Sequence, residues 1–152
     1  MHAAGQDPAD PAAVAALLAD LPEWFGRPEA NAAYVAAAGA MTALVAREGD
    51  GEVIGVVLLE QHFPASAEIH LMAVARRWHR RGVGCALLAA TEDHARCLGA
   101  RLLTVKTLGP SDPDASYATT RAFYEAMGFV PVEEFTTVWP GTPCLLLAKP
   151  LP

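Results

Sequence analysis

The stretch His79-Arg80-Arg81-Gly82-Val83-Gly84-Cys85-Ala86-Leu87-Leu88 sets two glycines, one residue apart, behind a basic pair and ahead of a helical apolar pattern. It follows a strand-like run, Ile69-His70-Leu71-Met72-Ala73-Val74. Strand, tight turn and helix start combine into an anion site, because the first helical N–H groups lack partners and the helix dipole adds positive charge there. Glycine lets the backbone approach a ligand closely. Arg80 and Arg81 add full charges whose donor geometry suits phosphate. The expected ligand is a pyrophosphate held over Arg80 to Ala86. The same glycines also fit an ordinary strand–helix loop. No G-x-x-x-x-G-K-[ST] run occurs, and Leu87 stands where a dinucleotide fingerprint needs its third glycine, so both of those phosphate sites are excluded.

Three other side chains suit acid–base work. Tyr124 lies about 100° around a predicted helix from Phe123, so Phe123 is expected to face the core and Tyr124 a cleft. An interfacial tyrosine with a satisfied hydroxyl fits the same pattern. Strand alternation puts Glu68, His70, Met72 and Val74 on one face and Ile69, Leu71 and Ala73 on the other. Glu68 is a candidate base or a solvated strand-end carboxylate. His70 suits a proton relay or a half-buried hydrogen-bonded role. Cys85 lacks an evident His–acid pair and is expected to offer only its backbone N–H.

These residues need a scaffold. The chain has 152 residues, 53% hydrophobic and 18% charged, which fits one globular domain spanning 1–152. No apolar run reaches the length of a membrane span and no signal peptide is evident, so the expectation is a cytoplasmic protein with no membrane association. Three widely spaced cysteines suggest neither a disulfide framework nor a zinc site, and no metal is expected. A net charge of −6 disfavours nucleic acid as partner.

Along the chain, Asp10-Pro11 caps a helix with Val14, Leu17, Leu18 and Leu21 on one stripe. A turn containing Trp24 and Phe25 leads to a helix over Glu29 to Ala38. Strands over Met41 to Arg47 and Glu52 to Glu60 flank a hairpin turn, Glu48-Gly49-Asp50-Gly51. His62 to Ala65 is read as a loop and Ala67 to Ala75 as a strand. The helix opened by Gly82 is expected to bury Val83, Ala86, Leu87, Ala90, His94 and Cys97, and to end at Gly99. A strand over Arg101 to Leu108, a helix over Ser116 to Met127 and a hairpin over Phe129 to Trp139 and Cys144 to Lys149 complete a mixed α/β (α+β) sheet domain. A first strand is hard to see in the Pro- and Asp-rich N-terminus.

This order of elements resembles the GNAT acetyltransferase superfamily over nearly the whole chain. His79-Arg80-Arg81-Gly82-Val83-Gly84 matches the motif Q/R-x-x-G-x-G/A except at its first position. Phe123-Tyr124-Glu125-Ala126-Met127-Gly128-Phe129 matches F-Y-x-x-x-G-F in full. Tyr117 departs from an asparagine common in the family. The resemblance implies a mostly antiparallel central sheet, flanked by helices and splayed at the strand before the pyrophosphate loop. It implies acetyl-CoA as cosubstrate, held by Met72, Ala73, Val74, Arg80, Arg81, Gly82, Val83, Gly84, Cys85, Ala86 and Thr120.

The implied reaction is acetyl transfer to a primary amine of a small molecule or peptide. In the histone-acetyltransferase branch a base glutamate holds the place of Glu68, fourteen residues before Gly82. The resemblance sets the Tyr124 hydroxyl beside the thioester sulfur as general acid. Trp24, Phe25, His62, Phe63 and Trp139, in loops, with His70, would rim the acceptor side. Retained Tyr124 and Glu68 argue against a noncatalytic acyl-CoA-binding sensor, and the acidic charge balance argues against an RNA-acetylating toxin. The final hairpin offers an edge for a homodimer.

Overall fold

Local signals set the first helix. Asp10 Oδ1 accepts from the N–H of Ala12 at 3.0 Å and Pro11 takes the first helical position. Val14, Leu17, Leu18 and Leu21 are then buried together, as their spacing requires. The computed structural model describes residues 4–152. It runs β1 (Ala4–Gln6), α1 (Pro11–Ala19), α2 (Pro28–Ala38), β2 (Thr42–Arg47), β3 (Val53–Phe63), β4 (Ser66–Val74), α3 (Val83–Cys97), β5 (Leu102–Leu108), α4 (Ala115–Ala126), β6 (Val130–Trp139) and β7 (Thr142–Pro150). A single 3-10 turn at Arg76–Trp78 joins β4 to α3.

The strands form one sheet in the order β1-β2-β3-β4-β5-β7-β6. Every pair is antiparallel except β4 with β5. Alternating side chains divide the apolar core in two. Leu44, Val57, Leu59, Ala67, Ile69 and Leu103 pack with Val83, Leu87 and Leu88 of α3 and Tyr124 of α4. Val45, Val56, Leu58, Leu71 and Ala73 pack with Val14, Leu17 and Leu18 of α1 on the other face. Gly55 of β3 lets α3 sit close: a Cβ there would lie 2.7 Å from Leu87 Cδ1.

Two features of β4 shape the site. Its parallel pairing with β5 extends only from Ser66/Leu102 to Ile69/Val105, although the strands continue to Val74 and Leu108. Their unpaired ends open a slot in the sheet. Against β3, the register steps from Leu58/Leu71 to Leu59/Ile69, which leaves His70 as the extra residue of a bulge.

The structure corrects several expectations. The bulge breaks strand alternation, so Glu68 does not share a face with Met72 and Val74. Ala67, Ile69, Met72 and Val74 pack toward α3, and Leu71 and Ala73 pack toward α1. His62 and Phe63 belong to β3 rather than a loop, and Trp139 ends β6. The buried face of α3 is Val83, Leu87, Leu88, Thr91, Glu92 and Ala95; Cys97 is exposed and Ala86, Ala90 and His94 are half-buried. β1 is present, three residues paired with β2. Tyr124 is buried and Phe123 only partly so, and both line the cleft, so the expected division of Phe123 to the core and Tyr124 to the cleft does not hold.

Candidate active site

The slot opens into a cleft of about 1320 Å³ that reaches from the start of α3 to the exposed ends of β3 and β6. That volume exceeds the range of a pocket for one drug-sized ligand, and it suits a long cosubstrate together with an acceptor.

At one end, Arg80 and Gly82 adopt left-handed φ values of 60° and 85° and swing the chain from β4 into α3. Glycine meets that demand at position 82 without strain; Arg80 holds it as an outlier of the kind found at ligand sites. The N–H of Ala86 bonds to Gly82 O at 3.0 Å and starts the helical ladder. The N–H groups of Val83, Gly84 and Cys85 precede that ladder and stand as anion donors at the helix N-terminus. Ala86 differs from them in that its N–H is committed within the helix. The Val83 side chain is fully buried beneath the turn. A Cβ at Gly84 would meet the Phe123 ring at 3.4 Å and Met72 Cε at 3.5 Å, ordinary van der Waals contact.

Met72, Ala73, Val74, Arg80, Gly82, Gly84, Cys85 and Thr120 all line the cleft. Arg81 is exposed and turns over the Trp78 ring, 5.4 Å from its centroid. His79, at the variant first motif position, turns back instead: its Nε2 lies 2.7 Å from Val74 O, so the ring pins the end of β4.

Midway along the cleft, Tyr124 packs edge-on between Phe123 and Phe129. Its hydroxyl donates to Met72 Sδ at 3.7 Å, so it reaches the slot from the α3 face of the sheet. Burial pushes the phenol well above its usual range and keeps it protonated, the state a proton donor needs.

Glu68 approaches from the other face, since it alternates with Ala67 and Ile69, which point toward α3. Its side chain is 10% exposed. Oε1 lies 2.7 Å from His62 Nε2, and Oε2 accepts from Lys106 Nζ at 2.9 Å. Burial raises the carboxyl pKa, but the hydrogen bonds and charges of His62 and Lys106 outweigh it and hold the group below its usual range. Glu60 Oε2 stands 3.7 Å from His62 Nε2 and 3.8 Å from His70 Nδ1. Glu60, His62 and Glu68 bring one polar atom each within 4.8 Å of one another, and the Lys106 ammonium supplies positive charge to this cluster.

His70 stacks edge-on against Tyr34 of α2, 5.4 Å between ring centroids. Trp24, Phe25, His62, His70 and Trp139 line the cleft, whereas Phe63 is 71% exposed at the β3 end and stands apart.

The loop between α1 and α2 crosses to α4. Trp24 Nε1 donates to Thr120 Oγ1 at 2.9 Å and to Ser116 O at 3.2 Å, and the Tyr117 hydroxyl donates to Trp24 O at 2.6 Å. Thr120 thus holds the loop as well as lining the cleft. Burial, with Tyr34 and Asp114 adding smaller pushes, sends the Tyr117 phenol up to about 12. Sequence reasoning missed Glu60, Lys106 and the His62–Glu68 contact, since they come from separate strands.

A left-handed turn into a helix N-terminus, a slot between parted parallel strands and a buried tyrosine at that slot lie along one cleft. The chain matches the Acetyltransferase (GNAT) family over residues 12–129, and it belongs to that family. Its fold is that of an acetyltransferase assigned to the GNAT family from Desulfovibrio desulfuricans, with TM-score 0.85, 22% identity and full coverage of both chains. It is also similar to the ribosomal-protein-S18-alanine N-acetyltransferase of Escherichia coli, with TM-score 0.78 and 18% identity over 99% of this chain and 94% of that one. A GNAT acetyltransferase from Elizabethkingia anophelis with acetyl-CoA bound gives TM-score 0.66 and 21% identity over 86% and 88% of the two chains. No curated protein is detectably similar in sequence. Among the described residues no helix is long and apolar enough to cross a membrane.

Proposed function

We propose that this acetyltransferase-family chain moves an acetyl group from acetyl-CoA to a primary amine of a small molecule or peptide. The observation that carries the reading is the slot past Ile69 and Val105, with the Tyr124 hydroxyl on one face of the sheet and Glu68 on the other. An amine must lose a proton to attack, and a departing thiolate gains from receiving one. A proton donor and a carboxylate-centred basic cluster on opposite sides of one cleft meet both needs. The free N–H groups at the start of α3, with Arg80, hold the pyrophosphate of the cosubstrate. The Met72 to Val74 backbone, unpaired on the β5 side, holds its pantetheine amides. Tyr124 protonates the leaving sulfur, and deprotonation of the amine depends on the Glu68 carboxylate.

The E. coli S18 enzyme and the acetyl-CoA-bound neighbour support amine and cosubstrate respectively. The test is a panel of primary amines with acetyl-CoA, read as free thiol and confirmed by mass spectrometry of the product. Amine-dependent thiol release with a mass gain of one acetyl group is expected. Cosubstrate binding without turnover across the panel would favour a noncatalytic acyl-CoA sensor.

A further inference from the structure

Both oxygens of Glu68 are occupied, Oε1 by His62 Nε2 at 2.7 Å and Oε2 by Lys106 Nζ at 2.9 Å. A carboxylate engaged twice and nearly buried has little access to an incoming amine. His62 differs. Its side chain is 48% exposed and it lines the cleft. Its Nε2 faces the Glu68 carboxylate and therefore carries the proton of the neutral ring, which leaves Nδ1 as a lone pair. No hydrogen bond from the described residues reaches Nδ1. The arrangement is a base oriented by a carboxylate, the logic of imidazole–acid pairs in nucleophilic enzymes.

We propose that His62 Nδ1 is the group that takes the amine proton and that Glu68 is a positioning residue that fixes its tautomer and ring. This rests on the acetyl-transfer reading above. The step moves one proton. An N–H bond of the acceptor ammonium breaks, an Nδ1–H bond forms, and the electron pair stays on the amine, which then attacks the acetyl carbonyl. Nε2 keeps its proton on Glu68, and the resulting imidazolium returns the extra proton to water through its exposed edge.

Imidazole suits this task better than the carboxylate. An efficient base titrates near the working pH, and histidine does so at about 6.5, whereas a carboxylate held low by His62 and Lys106 is weakly basic. The charged and titratable groups around the ring are Glu60 on its own strand, Glu68 and His70 on β4, Lys106 on β5 and, behind Lys106, Cys144 on β7. Tyr34 of α2 faces His70.

The experiment measures kcat/KM against pH for the wild type, His62→Gln and Glu68→Gln, with two acceptors of different amine pKa, an alanyl peptide amide and spermidine. A limb set by the enzyme stays at one pH for both acceptors, while a limb set by the amine moves. The wild type should show an acceptor-independent acid limb in the histidine range. His62→Gln should lose that limb and fall about 10²-fold or more. Glu68→Gln should shift the limb to lower pH, because a carboxylate no longer stabilises the imidazolium.

In parallel, NMR titration of the His62 ring should give the same apparent pKa as the limb, and its Nε2–H tautomer should be lost or mixed in Glu68→Gln. Wild-type turnover with an unchanged acid limb in His62→Gln overturns the assignment alone. A His62 ring that titrates away from the limb does the same. Absence of turnover with every amine overturns the acetyl-transfer reading beneath it.

Discussion

Tyr124 and Glu68 line the same cleft from opposite faces of the sheet: the Tyr124 hydroxyl reaches Met72 Sδ at 3.7 Å from the α4 side, while Glu68 alternates away from Ala67 and Ile69. The separation gives each its own surroundings. Tyr124 sits among aromatic rings that hold its proton on, and Glu68 sits between two donors that hold its proton off.

Tyr124→Phe tests the donor. The ring packs against Phe123 and Phe129 and keeps those contacts in the variant, so folding and cosubstrate affinity should be nearly unchanged. Only the hydroxyl is lost. The expected outcome is a fall in kcat of about 10²-fold with KM for acetyl-CoA constant, the pattern of an interaction made mainly in the transition state. Full activity in steady-state assays would reduce Tyr124 to a packing residue.

Glu68 should also make stability depend on pH. Its carboxyl lies below the usual range when folded and near about 4.3 when unfolded. A depressed folded value means that the stabilisation is present above the unfolded value and is lost as pH falls through the folded one. Urea melts at pH 7 and pH 3 should therefore show the gap between wild type and Glu68→Gln closing at the lower pH. A constant gap would mean that the His62 and Lys106 contacts contribute nothing through ionisation.

The Trp24 bridge predicts a third result. Trp24→Phe keeps an aromatic ring but removes the indole N–H shared between Thr120 Oγ1 and Ser116 O. A net loss of about 1 kcal/mol is expected. Hydrogen exchange should quicken in the α1–α2 loop and at the start of α4, and KM should rise, because residues of this loop line the cleft. Unchanged exchange in both segments would show that the bridge does not hold the loop.

What could be read from sequence is what local chemistry decides. The α3 start needed only neighbours in the chain: Gly82 to turn, Gly84 to admit close approach, Arg80 to add charge. The helix motif around Tyr124 was legible for the same reason. The bulge at His70 was not, because it depends on how β3 registers against β4, and it moved Glu68 away from the face of Met72. The His62–Glu68–Lys106 cluster joins three strands and has no signature along any one of them. The α3 stripe was misplaced because polar residues fill core positions: Thr91 Oγ1 donates to Leu87 O at 2.8 Å and Glu92 pairs with Lys149 at 2.7 Å. β1 is held by pairing with β2, and Ala4-Gly5-Gln6 carries no alternation to announce it.

Gly84→Asp tests the anion turn, where bulk and charge can be separated. A Cβ at position 84 meets the Phe123 ring at 3.4 Å and Met72 Cε at 3.5 Å, ordinary contact that small shifts accommodate. Gly84→Ala should therefore fold with little loss and weaken acetyl-CoA binding modestly. The aspartate adds a negative charge beside the N–H groups of Val83, Gly84 and Cys85. Near a helix N-terminus such a carboxylate is itself favourable, so the variant should remain folded and its side chain should compete for the donors that a phosphate would use. Loss of those charge-assisted hydrogen bonds, each worth roughly 1.5–3 kcal/mol, predicts at least a tenfold weaker Kd for CoA by calorimetry, and a larger drop than alanine causes. Equal affinities for the alanine and aspartate variants would move the pyrophosphate away from the start of α3.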